Sequence, residues 1–427
     1  MSARDTVFTM DSSSIKYGPG ATRELGADMA ALGARRVMLL TDANLAAGEQ
    51  VEVARESLNR AGVYAALFSR VRVEPSDASF QEAIAYAQRG NFDGYVAVGG
   101  GSVMDTAKVA NLYDCWPPED FLDYVNPPIG RGLPVPGPLK PLIAVPTTAG
   151  TGSETTGVAI FDYEALRAKT GIAHRALRPT LGIIDPDNTA TQPPMVAACS
   201  GLDVLSHAIE SLTALPYSQR PAPEQPQARP AYQGANPISD IWAAEALRMV
   251  GANLLRAIKD PDDLEARGNM LLAAAAAGIG FGNAGVHLPH GMSYPVSGMV
   301  RDFLPEGYYV SHAIVPHGMA VIVNAPAVFR YTASANPERH LLAARLLGLN
   351  VSDAGPGDVG EILAQGIIDI MQATGMPNGL AALGYRESDA PALAEGTLPQ
   401  HRVTKLSPRP AEREDLIELF RAAMRYW

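Results

Sequence analysis

The chain reads as an α/β domain followed by an all-α domain, and three observations carry that reading. From Arg36 onward, short apolar, β-branched runs alternate with helical patterns. A triplet of glycines, Gly99 to Gly101, joins one of those runs directly to an amphipathic helix. From about Pro193 the strand-like runs stop, and long helical patterns rich in Ala, Leu and Met take over. Strands interleaved with helices imply βαβ units and a parallel sheet. The expected domains are 1–188 and 189–427, joined near Asp185-Pro186.

Taken in order, Val37–Leu40 is the first buried strand and Gln50–Ala61 the helix that follows it. Tyr64–Phe68 and Tyr95–Val98 are strands, with Ser79–Gly90 a helix between them. Pro117–Pro141 is a proline-rich loop, after which Leu142–Val145 is another buried strand. In the second half Ala243–Ile258, Leu264–Gly278 and Gly360–Thr374 are helices, and no convincing strand is found. The longest apolar run, Met270–Phe281, is too short to span a bilayer.

Composition narrows the function. The 427 residues are 47% hydrophobic and 19% charged, enough to bury a core and too apolar for intrinsic disorder. With 34 Lys+Arg against 45 Asp+Glu, the net charge of −11 offers no field for a polyanion, so neither nucleic acid nor a membrane surface is expected as a partner. A phosphate-bearing ligand must therefore be held locally, by backbone N–H groups at a helix start. The two cysteines, Cys115 and Cys199, form no disulfide framework or metal knot and are read as reduced thiols. Met1–Gly20 resembles neither a secretory nor a transit peptide, so a cytoplasmic location is expected.

Gly99-Gly100-Gly101-Ser102 lies between a strand and a helix, where absent Cβ atoms let a pyrophosphate reach the backbone and the positive end of the helix dipole. A tight structural turn is the competing reading, since this is not the G-x-G-x-x-G pattern. A second strand ends in a loop of small and hydroxyl residues, Thr147-Thr148-Ala149-Gly150-Thr151-Gly152-Ser153-Glu154. Two such loops would converge at the carboxyl edge of one sheet, where open α/β sheets bind ligands, and this favours a dinucleotide. Asp42, directly after the first strand, suits an adenosine ribose and opposes a 2′-phosphate, favouring NAD over NADP.

Among eight histidines, Asp203-x3-His207 places a carboxylate and an imidazole one above the other on a helix face. His290-Gly-Met and His317-Gly-Met follow, each a His-Gly at a helix boundary or bend. Asp203, His207, His290 and His317 together would suit Fe²⁺ or Zn²⁺ and leave room for a substrate oxygen. His287 is a helix-surface residue, a partner of a ligand, or a substrate contact.

Gly99-Gly-Gly-Ser-Val-Met-Asp105, Thr147-Thr-Ala-Gly-Thr-Gly-Ser-Glu154, Asp203-x3-His207, His290-Gly-Met-Ser-Tyr-Pro295 and Pro316-His-Gly318 resemble, in order along nearly the whole chain, the iron-containing, group III alcohol dehydrogenases. Arg229–Asp240 and Gly280–Gly291 look most like the hydroxyacid–oxoacid transhydrogenase branch of that family. The resemblance implies a Rossmann-like N-terminal domain, a helical metal-binding C-terminal domain and a cleft between them. It implies ligation of the metal, Fe²⁺ or Zn²⁺, by Asp203, His207, His290 and His317, and nicotinamide-cofactor contacts from Asp42, Gly99, Gly100, Gly101, Ser102, Thr147, Thr148, Thr151 and Lys169. A homo-oligomer, expected as a dimer, acting on small alcohols or hydroxy acids and their aldehydes or oxo acids goes with it. One departure stands out: many members carry a histidine where this chain has Tyr294, so the proton route passes through Tyr294, His287, the ribose or solvent.

The function expected is hydride transfer between a nicotinamide and a short hydroxy acid or semialdehyde of the 4-hydroxybutyrate type, with 2-oxoglutarate as an acceptor if the cofactor is retained. The alternatives are a simple alcohol or maleylacetate-type reductase, or a lyase like the dehydroquinate synthases. The lyase would need a basic phosphate set, and Phe281–Gly318 holds Arg301 alone. Pro216–Pro237 reads as a surface loop, with the competing idea that Arg220 or Arg229 grips a substrate carboxylate.

Overall fold

A strand whose residues are apolar without interruption must be covered on both faces, which is the condition met by a parallel sheet sandwiched between helices. The computed structural model, which describes residues 4–166 and 168–427, builds that arrangement from Ser12–Gln192. The elements run β1 (Ser14–Tyr17), α1 (Leu25–Ala31), β2 (Arg36–Asp42), α2 (Glu49–Arg60), β3 (Tyr64–Val71), α3 (Asp77–Gly90), β4 (Gly94–Gly99), α4 (Gly101–Cys115), β5 (Leu142–Pro146), β6 (Val158–Tyr163), β7 (Ala168–Ala173) and β8 (Leu181–Ile184). Six strands pair in parallel in the order β1-β8-β5-β4-β2-β3, and β6 and β7 form a separate antiparallel pair.

The period of two along each strand sorts the core into two layers. Val37, Leu39, Val96, Val98, Ile143 and Val145 meet Leu25 and Met29 of α1 and Val51, Ala54 and Leu58 of α2. Met38, Leu40, Tyr95, Ala97, Leu142 and Ala144 face the other way, onto Ala83 and Ala87 of α3 and Met104, Ala107 and Ala110 of α4. Burial of each large aliphatic side chain contributes roughly 1.5–3 kcal/mol.

The expected strands and helices of this half are present, with ends shifted by a few residues. The helix after the glycines differs from the amphipathic one expected, because α4 is buried from Val103 to Tyr113 apart from Asp105. It lies under the sheet on one side and under β6 on the other. β1, β8 and the β6–β7 pair were not anticipated; β1 is short and mostly exposed, with no apolar run to mark it.

The helical unit comprises α5 (Pro194–Thr213), α6 (Pro237–Lys259), α7 (Leu264–Ala284), α8 (Leu288–Gly298), α9 (His317–Ile322), α10 (Ala325–Thr332), α11 (Pro337–Leu346), α12 (Val359–Ala373), α13 (Ala390–Thr397), α14 (His401–Thr404) and α15 (Arg413–Ala422). Asn236 caps α6 by accepting from the Ile238 and Ser239 amides, with Pro237 at the first helical position. The division falls at Gln192/Pro193, and the segment up to Asp11 groups with the helices rather than with the sheet as expected. Its ties are specific: the Asp5 amide donates to the Arg220 carbonyl, and the Asp11 amide to Asn283 Oδ1 at 3.0 Å. Among the described residues no single helix is long and apolar enough to cross a membrane.

Candidate functional site

α5 is buried from Gly201 to Thr213, and its inward ionisable positions include Asp203 and, one turn on, His207. α7 and α8 are set at 103° to each other, and that bend turns the start of α8, with His290, onto α5. His317 is the first residue of α9, behind Pro316. Gly318 is what lets α9 come so close: a Cβ there would stand 2.0 Å from the Cys199 carbonyl oxygen and 2.9 Å from Asp203 Cβ. One ligand atom from each of Asp203, His207, His290 and His317 falls within 4.8 Å of the others.

The Nε2 atoms of His290, His207 and His317 lie 3.5, 3.7 and 3.8 Å from Asp203 Oδ1. Asp203 Oδ1 and His290 Nε2 are buried with no hydrogen-bond partner. Buried polar atoms that converge without bonding one another are poorly satisfied by protein alone. One carboxylate oxygen and three imidazole nitrogens match the donor set of a divalent iron or zinc ion. His317 is the least enclosed, at 22% side-chain exposure against 3–4% for the other three, so the cluster opens on its side.

Electrostatics point the same way. Burial works to raise the Asp203 carboxyl, yet the imidazoles of His207, His317 and His290 outweigh it and hold it below the usual carboxylate range. His207 is pushed down to about 3, chiefly by burial. His290 is buried too, but Glu210 and Asp203 bring it up to about 10. Two buried carboxylates around three imidazoles favour a positive charge at their centre, and a bound cation supplies one.

Glu210 was missed by the sequence reading. It follows His207 by three residues on α5, and it is fully buried. Its Oε1 lies 2.5 Å from His290 Nδ1, and its Oε2 accepts from the His287 main-chain N–H at 2.5 Å. With Nδ1–H donated to Glu210, the Nε2 lone pair of His290 is presented to the cluster. The ring of Phe281 stacks on His207 at 3.9 Å and 7°, closing that flank to water.

The helix-surface option for His287 is overturned, since its side chain is wholly buried. Its Nε2 lies 3.0 Å from Thr213 Oγ1, and burial pushes the imidazole down to about 4. Tyr294, one turn beyond His290 on α8, is buried and its hydroxyl accepts from Arg402 Nη2 at 2.6 Å. Arg220 and Arg229 are both engaged by the buried carboxylate of Asp5, at 2.5 and 2.9 Å. The idea that one of them takes a substrate carboxylate is withdrawn, because that ion pair already holds both guanidinium groups.

In the sheet unit, β2 and β4 are neighbours whose following connections leave in opposite directions, which makes their carboxyl ends the switch point of the sheet. Asp42 ends β2, and its Oδ1 accepts from the Asn44 and Leu45 amides, so Oδ2 is not used by the turn. Gly100 precedes α4 with no side-chain cap; its carbonyl takes the Val103 and Met104 amides, which leaves the Gly101 and Ser102 amides to face a ligand. The two expected loops do lie together: a Cβ on Gly101 would meet Thr151 Cγ2 at 2.6 Å, and one on Gly100 would meet Thr148 Oγ1 at 3.2 Å. The Thr147 amide donates to the Gly99 carbonyl at 3.1 Å. Ser102 Oγ accepts from the Glu74 amide. Lys169 is buried, its ammonium paired with Glu74 at 2.7 Å and Asp162 at 3.1 Å.

Behind the loops runs a buried network. Lys108 Nζ donates to Ser153 Oγ and to the Val158 carbonyl, and Ser153 Oγ donates to Asp105 Oδ1. Glu154 sits beside it with Oε1 unpartnered, and burial pushes its carboxyl up to about 7 from an ordinary 4.5. A folded value above the unfolded one stabilises the fold fully below pH 4.5, and the benefit is lost as the pH rises through 7. Glu154→Gln, neutral throughout, is expected to lack that decline. Its melting temperature relative to wild type should therefore climb between pH 4.5 and 7, and parallel melting curves across that range would contradict the assignment.

Comparison with known proteins bears on both units. A family profile described as iron-containing alcohol dehydrogenase matches residues 12–186, and one described as the Fe-containing alcohol dehydrogenase family, C-terminal, matches 231–424. The chain is 57% identical to a mitochondrial hydroxyacid-oxoacid transhydrogenase of Rattus norvegicus, over 99% of this chain and 91% of the relative. The Homo sapiens protein of that name is 56% identical with the same coverage. Among solved structures, a 1,3-propanediol oxidoreductase superposes with a TM-score of 0.85 at 28% identity, over 98% of this chain and 100% of the other. A sulfoacetaldehyde reductase from Bifidobacterium kashiwanohense, in complex with NAD+, gives 0.80 at 25%, over 98% and 99%. The cytoplasmic expectation is overturned by the names of the sequence relatives, which place those proteins in mitochondria. The residue types of Met1–Gly20 were no measure of compartment.

Proposed function

Because the chain belongs to the iron-containing alcohol dehydrogenase family, we propose that this oxidoreductase moves hydride between a short hydroxy acid and an oxo acid through a bound nicotinamide, as a hydroxyacid–oxoacid transhydrogenase. The convergence of Asp203, His207, His290 and His317 within 4.8 Å carries the reading. Those four residues are the proposed ligands, with Fe²⁺ preferred over Zn²⁺. An ion there would supply Lewis acidity toward the substrate oxygen.

The remaining work falls to the protein. Glu210 fixes the His290 tautomer, and Phe281 keeps water from His207. Oxidation of the alcohol releases one hydride from the carbinol carbon and one proton from the hydroxyl. Tyr294 is the proposed proton carrier: its oxygen accepts from Arg402, so its own hydrogen remains free to be donated. His287 acts through its main-chain N–H, which holds Glu210. In the second half the hydride and a proton are returned to an oxo acid, so no free NADH accumulates.

Asp42, Gly99, Gly100, Gly101, Ser102, Thr147, Thr148 and Thr151 are the proposed nucleotide contacts; Lys169 is proposed to support them by neutralising Glu74. NAD is preferred to NADP through the Asp42 carboxylate. Asp42→Gly is expected to narrow the preference for NAD by about tenfold, read as the ratio of Kd values for NAD and NADP. An unchanged ratio would remove Asp42 from the assignment. A homodimer is the proposed assembly; Ile241 and Trp242 on α6 are exposed apolar side chains it would cover, and light scattering gives the mass.

The decisive assay uses protein stripped of metal and reloaded with Fe²⁺ or Zn²⁺, given 4-hydroxybutyrate with either NAD or 2-oxoglutarate. Formation of 2-hydroxyglutarate without added NAD supports transhydrogenation. Accumulation of NADH alone identifies a plain dehydrogenase, and absence of both products rejects this substrate class.

A further inference from the structure

Beside the candidate metal centre lies a guanidinium without a carboxylate. Arg402, on the one-turn helix α14, donates through Nη2 to the Tyr294 hydroxyl and sets its guanidinium carbon 5.0 Å from the Tyr232 ring centroid. The charged or ionisable neighbours that act on it are those two phenols, with no carboxylate among them. Its Nη1 is buried with no hydrogen-bond partner. Arg220 and Arg229 of the same unit share Asp5, and Arg339 is paired with Asp240.

The contacts of Arg402 lead back to the ligands from two directions. Through Tyr294 they reach His290, one turn earlier on α8. Through Tyr232 they reach Phe281, at 6.4 Å between ring centroids, and Phe281 stacks on His207. His207 and His290 are themselves stacked at 4.6 Å, so the path closes on itself around one flank of the cluster. A guanidinium whose Nη1 is enclosed with its hydrogens unmet is costly until an anion arrives, and its planar fork matches a carboxylate. Aromatic walls on both sides suit a short aliphatic chain between that carboxylate and a reacting carbon near the metal ligands.

We propose that Arg402 receives the carboxylate of the substrate and so selects hydroxy and oxo acids over neutral alcohols. The inference rests on the hydroxy-acid reading given above. Tyr294 and Tyr232 are its positioning residues: the first fixes Nη2 by a hydrogen bond and the second holds the guanidinium plane.

The test compares wild type, Arg402→Met and Arg402→Lys in the metal-loaded protein. The readouts are the Kd of butyrate by calorimetry and kcat/KM for 4-hydroxybutyrate and butane-1,4-diol. Arg402→Met is expected to lower the acid-to-diol ratio of kcat/KM by about 30-fold, mainly through KM, and to weaken butyrate binding by a similar factor. Arg402→Lys, which keeps the charge without the fork, should fall between, and it serves alone if the methionine variant does not fold. Equal losses on acid and diol would mean a purely structural arginine and overturn the proposal. Wild type that binds butyrate, with variants that bind it as tightly, would overturn Arg402 and leave the hydroxy-acid reading standing. Wild type that ignores butyrate and prefers the diol would defeat that reading and the proposal with it.

Discussion

Replacing His207 or His290 with alanine is expected to abolish stoichiometric metal binding and to lower turnover by at least about a thousandfold, corresponding to roughly 4 kcal/mol of transition-state stabilisation. Each substitution removes one of four converging donors. His207→Ala also strips the stacking partner from Phe281, and His290→Ala leaves the Glu210 carboxylate buried without its imidazole. Metal content measured against protein concentration, alongside kcat, decides the matter: a variant that keeps both refutes the ligand set. Chelation of the wild type should act in the same direction. An ion that binds only the folded state stabilises it by about 2.7 kcal/mol at 100 times its Kd, so stripping it should lower the melting temperature and readdition should restore it.

The sequence displayed the ligands because each sits in a local pattern. Asp203 and His207 share a helix face, and His290 and His317 are each followed by glycine. The reason for the second glycine was not legible, since it lies in the approach of α9 to the Cys199 carbonyl across more than a hundred residues of chain. The same holds for Glu210. Its spacing from His207 places it on the face that already carries Asp203, yet an acid on a helix is unremarkable until His290 Nδ1 is found against it.

Arg402 had no local mark at all, being 108 residues from the tyrosine it holds. The sheet was easier to read: Val37–Leu40, Tyr95–Val98 and Leu142–Val145 are uninterrupted apolar runs, which only a covered parallel strand tolerates. β1 and β8 escaped because they are short, and β1 carries polar residues suited to an edge. The α4 helix was misjudged as amphipathic because Lys108 and Asn111 look like a solvent face in sequence. In the fold Lys108 is wholly buried, bonded to Ser153 and the Val158 carbonyl, and Asn111 donates to the Lys140 carbonyl.

Glu210→Gln is the second substitution with a large expected effect, and its logic is hydrogen-bond counting. Both oxygens of Glu210 accept, one from His290 Nδ1–H and one from the His287 N–H. Glutamine offers one acceptor and an NH₂ group, so whichever way it turns, a donor faces a donor. Left unmatched, the buried donor costs about 1–3 kcal/mol of stability. If His290 answers by shifting its proton to Nε2, the ring no longer offers a lone pair to the metal position. Either response should weaken metal binding by about 10- to 100-fold, the range found for groups that orient metal-bound histidines. Competition against a chelator of known affinity measures the loss directly. Activity should then recover at excess metal, which His207→Ala would not do. Undiminished affinity in the glutamine variant would mean that Glu210 serves only to join α5 to the start of α8.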